Sequence, residues 1–322
     1  MAPSTERRPF MFSRKPEVMR FLKRAVRQGT WPLLQRYVVA RKILSLPAIA
    51  VAAKSDFCVH LRVCEQHAVM LHWALRSFLN HSTVGCSVAI HDDGSCSAHT
   101  LDRFTATFPA ARVISRAEAT SLILPRLAKF PEIAKWWQSS FTGIKWIDYF
   151  LLGESEHVIF LDTDVLFFDE PVAIFRDLDC AAWMKDSFYS LYIEPDDSQK
   201  LFGGSPPPQI NSGLGRVPRR WFNIDLAVHV MRFMHQESVQ RRAGRLGLPQ
   251  DDDQTFNAIL CACNGKTHYL PESYAVASEL GLGGIVAKHY TTPFRFWFYE
   301  EGMTRVANQL KLDLPRWLRA RT

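Results

Sequence analysis

The sequence predicts an α/β fold: a mostly parallel central sheet flanked by helices, carrying a basic helical extension at its N-terminus. Three observations predict it. From Phe57 onward, short apolar segments of strand length alternate with amphipathic segments of helix length, the pattern of right-handed strand–helix–strand crossovers. One of those segments, His157–Leu161, is apolar enough to be a strand covered on both faces. The composition is globular, with 322 residues, 47% apolar and 22% charged, which excludes disordered and fibrous classes and leaves ample material for a core.

The elements follow in order. Residues 1–14 hold two prolines, several charges and no period, and are expected to be disordered. From Pro16 a helical period sets in, with Val18, Met19, Leu22, Ala25 and Val26 on one face and Arg20, Lys23, Arg24 and Arg27 on the other; Gly29 stands at the C-cap. A second helix follows Pro32 through Leu33, Leu34, Tyr37 and Val38. Residues 1–56 contain twelve Lys/Arg against three Asp/Glu, a net +9, so the chain total of +7 leaves −2 for the remainder. We therefore divide the chain into a basic, partly disordered and then helical extension (1–56) and a main domain (57–322). Basic charge lying outside the main body argues against a nucleic-acid partner. It suits either an extension packed on the core or a basic surface touching anionic membrane through residues 1–42.

No apolar run reaches the roughly 18–20 residues of a spanning helix, and the run Ile43–Ala53 contains Pro47. Seven cysteines form no CxxC pair and no zinc-finger spacing, and the basic start leads into no signal-peptide core. The expectation is a cytoplasmic protein, peripheral at the inner membrane face if it touches a membrane at all.

Within the main domain, Phe57–Val63 reads as a strand, Ala68–Leu79 as a helix, and Cys86–His91 as a strand ending at Asp92-Asp93-Gly94. Leu101–Phe108 reads as a helix, Arg112–Ser115 as a short strand, and the stretch between Ala117 and Leu152 as helical. Ligands of such sheets bind beyond the carboxyl ends of the strands. Directly after His157–Leu161 comes Asp162-Thr163-Asp164, then Val165-Leu166-Phe167-Phe168. Two acids in so apolar a run require a counter-charge. Acids at i and i+2 can converge on one divalent cation, Mn²⁺ or Mg²⁺; pairing with Lys or Arg is the plainer alternative. If they do converge, they repel one another without metal, and removing one should leave metal-free melting unchanged or raised.

Three further segments join this one. Asn211-Ser212-Gly213-Leu214 follows an Ile-led strand, and Gly213 lets backbone approach a ligand closely. Asp251-Asp252-Asp253-Gln254 opens the helix Thr255–Cys261, with N-capping as the alternative role. Lys288-His289-Tyr290 ends a strand beginning at Ile285, and Arg295 lies six residues after His289.

In order and spacing these residues resemble the metal-dependent nucleotide-sugar glycosyltransferases of the GT-A fold, above all the glycogenin and lipopolysaccharide-galactosyltransferase type, over about residues 57–300. The resemblance implies that Asp162, Asp164 and His289 bind Mn²⁺ or Mg²⁺. It implies that Lys145, seventeen residues before Asp162, and Arg295 contact the donor diphosphate, and that Gln66 belongs to the nucleotide site. Asn211, Asp253 and Gln254 are then the residues beside the reacting sugar carbon. A UDP-sugar donor, a glycan, lipid-linked or protein acceptor, and retention of configuration are implied as well. Two positions depart from the pattern: Cys64 stands where the family carries an acid for uracil, with Gln66 replacing a neighbouring Asn, and Arg295 replaces a Lys. Arginine still suits phosphate, and binds it bidentately.

Two other classes fit less well. A sugar-1-phosphate nucleotidyltransferase needs a glycine-rich loop after its first strand, and Val63–Leu71 contains no glycine. Gly265-Lys266-Thr267 imitates the end of a phosphate loop, but Leu260 occupies the place of its first glycine. A non-catalytic carbohydrate- or membrane-binding protein on the same fold has no reason to retain every metal and phosphate candidate. Phe294, Phe296, Trp297 and Phe298, close to His289 in sequence, offer aromatic faces for a sugar ring or for the core.

Overall fold

The computed structural model describes residues 34–187, 190–194, 201–203, 206–245 and 253–312. The amphipathic segment Val18–Arg27, Gly204-Ser205 and Asp251-Asp252 lie outside the described residues. The main elements in chain order are β1 (Phe57–Val63), α1 (Ala68–His81), β2 (Ser87–Asp92), α2 (Ala98–Thr107), β3 (Arg112–Ile114), α3 (Arg116–Ile123) and α4 (Pro131–Ser139). A wide helical turn, Ile144–Asp148, leads to β4 (His157–Leu161), β5 (Val165–Phe167), β6 (Ala181–Lys185) and β7 (Ile210–Pro218). Then come α5 (Ile224–Met234), α6 (Glu237–Arg245), α7 (Asp253–Asn264), β8 (Thr267–Tyr269), β9 (Tyr274–Val276), β10 (Ala287–His289) and α8 (Met303–Gln309).

Side-chain caps start several of the helices. Ser97 and Ser115 accept from the N–H groups of Thr100 and Glu118, and Asn223 accepts from those of Asp225 and Leu226, as N-capping requires. The strands assemble into a seven-stranded sheet of order β3-β2-β1-β4-β7-β6-β8 and a three-stranded sheet of order β5-β10-β9. In the large sheet β1, β2, β3 and β4 run parallel, β6 and β8 run parallel, and β7 is antiparallel to both of its neighbours. The mostly parallel α/β architecture expected from the alternation is present.

Strand alternation divides the core into two layers. Val59, Leu61 and Val63 of β1 join Ile159 and Leu161 of β4 in one layer with α1 and α2. Val158 and Phe160 face the other, with Trp137, Trp146, Trp183 and the apolar sides of α5 and α7. A third cluster forms where Val39, Ala40 and Ile43 meet Trp73, Met303 and Val306; the Trp73 indole N–H donates to Ala40 O at 2.9 Å. Residues 35–45 are thus packed on the main domain by their inner face, while Leu34, Tyr37 and Val38 are 39%, 49% and 55% exposed on the outer one. Among the described residues no helix is long and apolar enough to cross a membrane.

The reversal of β7 places the site. A strand running against its neighbours begins at the edge where they end, so Ile210 and Asn211 lie at the carboxyl ends of β4 and β6. Asn211 is therefore the second residue of a strand, where the sequence reading had it following one. The small sheet has the same effect: β5 and β10 pair antiparallel, with His289 opposite Val165, which brings the end of β10 back to Asp164.

Candidate active site

Asp162, Thr163 and Asp164 form the turn between β4 and β5. Asp162 N–H donates to Gly213 O at 2.8 Å, Val165 N–H to Asp162 O at 3.1 Å, and Tyr290 N–H to Asp164 O at 2.9 Å. Backbone bonds from three segments thus fix a turn whose side chains the apolar core could not hold. His289 Nε2 lies 3.2 Å from Asp164 Oδ1 and 3.9 Å from Asp162 Oδ2. One ligand atom from each of these three residues falls within 4.8 Å of the others.

The donor set fits a divalent cation. Two carboxylates and an imidazole nitrogen suit Mn²⁺ or Mg²⁺. The other ring nitrogen, His289 Nδ1, lies 2.6 Å from Asn211 Oδ1. An amide oxygen only accepts, so Nδ1 keeps its proton against Asn211. Without metal Nε2 also carries a proton and meets the acids as a cation; it is this Nε2 proton that a bound cation would displace, leaving the orientation a metal-binding histidine needs. Gly213 makes this possible: a Cβ there would sit inside the His289 ring. The glycine gives close approach to the imidazole, in place of the backbone-to-ligand approach the sequence suggested.

Cations balance the acids. Lys145 Nζ lies 2.8 Å from Asp162 Oδ1 and 2.7 Å from Asp253 Oδ2, and the lysine is only 4% exposed. Arg295 turns two nitrogens toward Asp164 Oδ2, at 3.0 and 2.6 Å. Burial alone would push the Asp164 carboxyl up, but His289 and then Arg295 outweigh it and hold it far below the usual carboxylate range. Asp253 is held down despite burial, chiefly by Lys145. Burial works against the Lys145 ammonium, yet Asp162 and Asp253 raise its pKa. The repulsion expected between Asp162 and Asp164 is offset, since each acid already faces a cation, and truncating either would remove a partner from Lys145 or from His289 and Arg295.

Asp162, Asp164, Asp253, His289 and Arg295 line a cavity of about 800 Å³ at the carboxyl edge of the sheet, with Lys145 behind the acids it pairs. Gln254, at the start of α7, accepts from Ser212 N–H at 3.3 Å and donates to Asp186 Oδ2 at 2.9 Å. The structure brings Asp162, Asp164, His289, Lys145, Asp253, Gln254, Asn211 and Arg295 together. It leaves Gln66 exposed and off the cavity wall, which its neighbours Cys64 and His67 line. Sequence reasoning passed over Arg62, Phe141 and Asp186, all lining the cavity. Arg62 did carry a signal, being the charge that interrupts an apolar strand near its carboxyl end; Asp186 and Phe141 carried none.

Solved structures share this architecture. The bifunctional glycosyltransferase WbbM, in its apo form, aligns over 85% of this chain and 52% of its own at 12% identity, with a TM-score of 0.54. The chain has the GT-A fold. It spans about half the length of WbbM. The galactosyltransferase LgtC, solved with donor and acceptor sugar analogues, aligns over 82% of this chain and 100% of its own at 15% identity and a TM-score of 0.47. Mouse xyloside xylosyltransferase 1 aligns over 76% and 99% at 12% identity and a TM-score of 0.44. No family model and no curated protein sequence matches the chain. At 12% identity the likeness to WbbM is one of fold alone, and the chemistry rests on the side chains.

Proposed function

We propose that the protein is a metal-dependent glycosyltransferase that moves a sugar from a nucleotide-diphosphate donor, a UDP-sugar in our reading, to a glycan acceptor. The observation that carries this is the convergence of Asp162, Asp164 and His289 beside Lys145 and Asp253, at the mouth of a cavity where open α/β sheets bind ligands. Asp162, Asp164 and His289 would hold the ion, which as a Lewis acid would stabilise the charge that develops on the departing diphosphate. Lys145 anchors Asp162 and Asp253 in one arrangement and adds positive charge on the leaving-group side. Arg295, on a surface turn after β10, is placed to exchange its contact with Asp164 for a phosphate oxygen. Asn211 keeps the His289 ring in the tautomer that presents Nε2. The Gln254 amide, fixed between Ser212 and Asp186, turns toward the space beside Asp253 where the anomeric carbon would lie.

Retention of configuration is the course we propose, because each acid lining the cleft among the described residues is already engaged by a cation or a donor, and none stands alone as a general base. The test is donor turnover. Hydrolysis or transfer screened over a panel of nucleotide sugars should appear with Mn²⁺ or Mg²⁺ and vanish with EDTA; equal turnover in EDTA would defeat the metal-dependent reading.

The same proposal places the enzyme against an anionic membrane through residues 1–42, working on a lipid-linked or envelope acceptor from the cytoplasmic side. Support comes from the net +9 of residues 1–56 and from the outward Leu34, Tyr37 and Val38 beside Arg41 and Lys42. Co-sedimentation with anionic vesicles should fall steeply with salt and be lost on deleting residues 1–42. Equal binding to neutral vesicles would leave these residues as an extension packed on the core.

A further inference from the structure

The charges of the cleft do not close without one more residue. Lys145 is held by Asp162 and Asp253, and Arg295 rests on Asp164. Even with Arg295 released to a phosphate, the three acids and the roughly three charges of a nucleoside diphosphate outnumber a divalent ion, Lys145 and Arg295 together, so a further cation is needed in the cavity. Arg62 lines that cavity from the carboxyl end of β1, beside the strand that carries Asp162. Among the described residues no carboxylate lies within ion-pair distance of it. Its guanidinium donates instead to Phe141 O at 3.3 Å and lies over the Phe141 ring, 4.7 Å from the centroid.

That arrangement is a mounted, unspent cation. Phe141 is 55% exposed, so its ring supports the guanidinium without covering it. Stacking holds the plane and leaves donor nitrogens free, the geometry in which arginine recognises an oxyanion through paired hydrogen bonds. Arg62 and Asp253 line the same cavity, and against the cost of burial the charge of Arg62 adds, after Lys145 and Ser212, to what holds the Asp253 carboxyl ionised.

We infer that Arg62, carried on Phe141, is a donor-binding and specificity-determining residue that takes an oxyanion of the nucleotide sugar. This rests on the donor reading proposed above. The oxyanion has two possible sources, a phosphate of the diphosphate or the carboxylate of a uronic sugar, and the experiment separates them.

The full chain and its Arg62→Met, Arg62→Lys and Phe141→Leu variants are titrated calorimetrically, in Mn²⁺, with UDP, UDP-glucose and UDP-glucuronic acid. Methionine keeps the stem packed and removes the charge, and melting curves check that each variant is folded. Loss of a charge-assisted pair predicts about a tenfold to hundredfold rise in Kd for Arg62→Met, partial recovery in Arg62→Lys, and a smaller rise in Phe141→Leu. A rise shared by all three nucleotides assigns the phosphate; a rise confined to UDP-glucuronic acid assigns the carboxylate. Unchanged Kd for every nucleotide that the wild type binds overturns the inference while leaving the donor reading standing. A wild-type chain that binds none of the three defeats the donor reading itself, and the role of Arg62 with it.

Discussion

The protein buries titratable groups in two ways. At the carboxyl edge of the sheet, Asp162 and Asp253 pair with Lys145 at 2.8 and 2.7 Å and Asp164 pairs with His289 at 3.2 Å, so that each charge faces an opposite one. In the layers beneath, His60 and His72 are shut among aromatic rings: His60 against Tyr149 and His91, His72 between Phe104 and Phe108. Burial, the largest influence on both histidines, drives their pKa down, and neighbouring positive or protonatable groups add to it. These interior histidines are thus held neutral, whereas the cleft keeps its groups charged. Keeping charge in a buried place costs several kcal/mol per ion unless each is paired. The paired charges lie where a cavity opens, which is why the cleft, and not the histidine-bearing interior, reads as the working end.

The sharpest way to break this comparison is to unpair one charge. Asp164→Ala removes the acid shared by His289 and Arg295, and two cationic groups lose their partner together. Turnover should fall more than tenfold, a barrier change above ~1.4 kcal/mol. Metal-free stability should also fall, by about 2–3 kcal/mol, less than the ~3–5 kcal/mol of a fully buried pair because Arg295 stays part-exposed. Asp162→Ala should cost less stability, since Lys145 retains Asp253. Chemical denaturation in EDTA checks the order; an Asp164→Ala protein as stable as wild type would mean that the cleft charges are not held by pairing.

How much of this was legible beforehand depends on what each residue signals. β4 was read with its observed bounds because a strand covered on both faces is apolar at every position. The Asp162–Asp164 turn was legible for the complementary reason, charge where only apolar residues belong. Of the small sheet only β10 was read, as a strand from Ile285 to Tyr290 that is observed over Ala287–His289; the three-residue strands β5 and β9 carry no period. Asn211 was legible as a site residue but not as a strand residue, since nothing local announces that β7 runs backwards. Lys145 and Arg295 were recognised as cations, but their partners are set by tertiary distance, and the sequence reading aimed both at phosphate. Gln66 shows the opposite case: the resemblance assigned it to the nucleotide site in place of an Asn, and the short helical turn Glu65–His67 leaves it exposed.

A smaller effect sharpens the comparison from the interior side. A histidine held below its unfolded pKa binds fewer protons when folded, so stability falls as pH drops through the unfolded value near 6.5. His72, lowered to about 3, should cost roughly 2 kcal/mol between pH 7 and pH 5 on that account, and His67, lowered to about 4, acts in the same sense. The acids of the cleft do not share this limb. Asp164 and Asp253 are depressed acids whose stabilisation is present above their unfolded values near 4 and is lost only at more acid pH. His289, raised by Asp164 once the cost of burial is overcome, works the other way, its contribution being fully present below about 6.5. His72→Leu fills similar space between Phe104 and Phe108 without a titratable ring. The variant should match or exceed wild-type stability at pH 5, and its loss from pH 7 to pH 5 should shrink by roughly 2 kcal/mol, while the steeper loss below pH 4 stays. Urea denaturation of both proteins at pH 7, 5 and 3.5 measures each limb separately. Should His72→Leu lose as much stability as wild type between pH 7 and 5, the acid sensitivity would belong to the cleft, and the distinction between a discharged interior and a charged edge would fail.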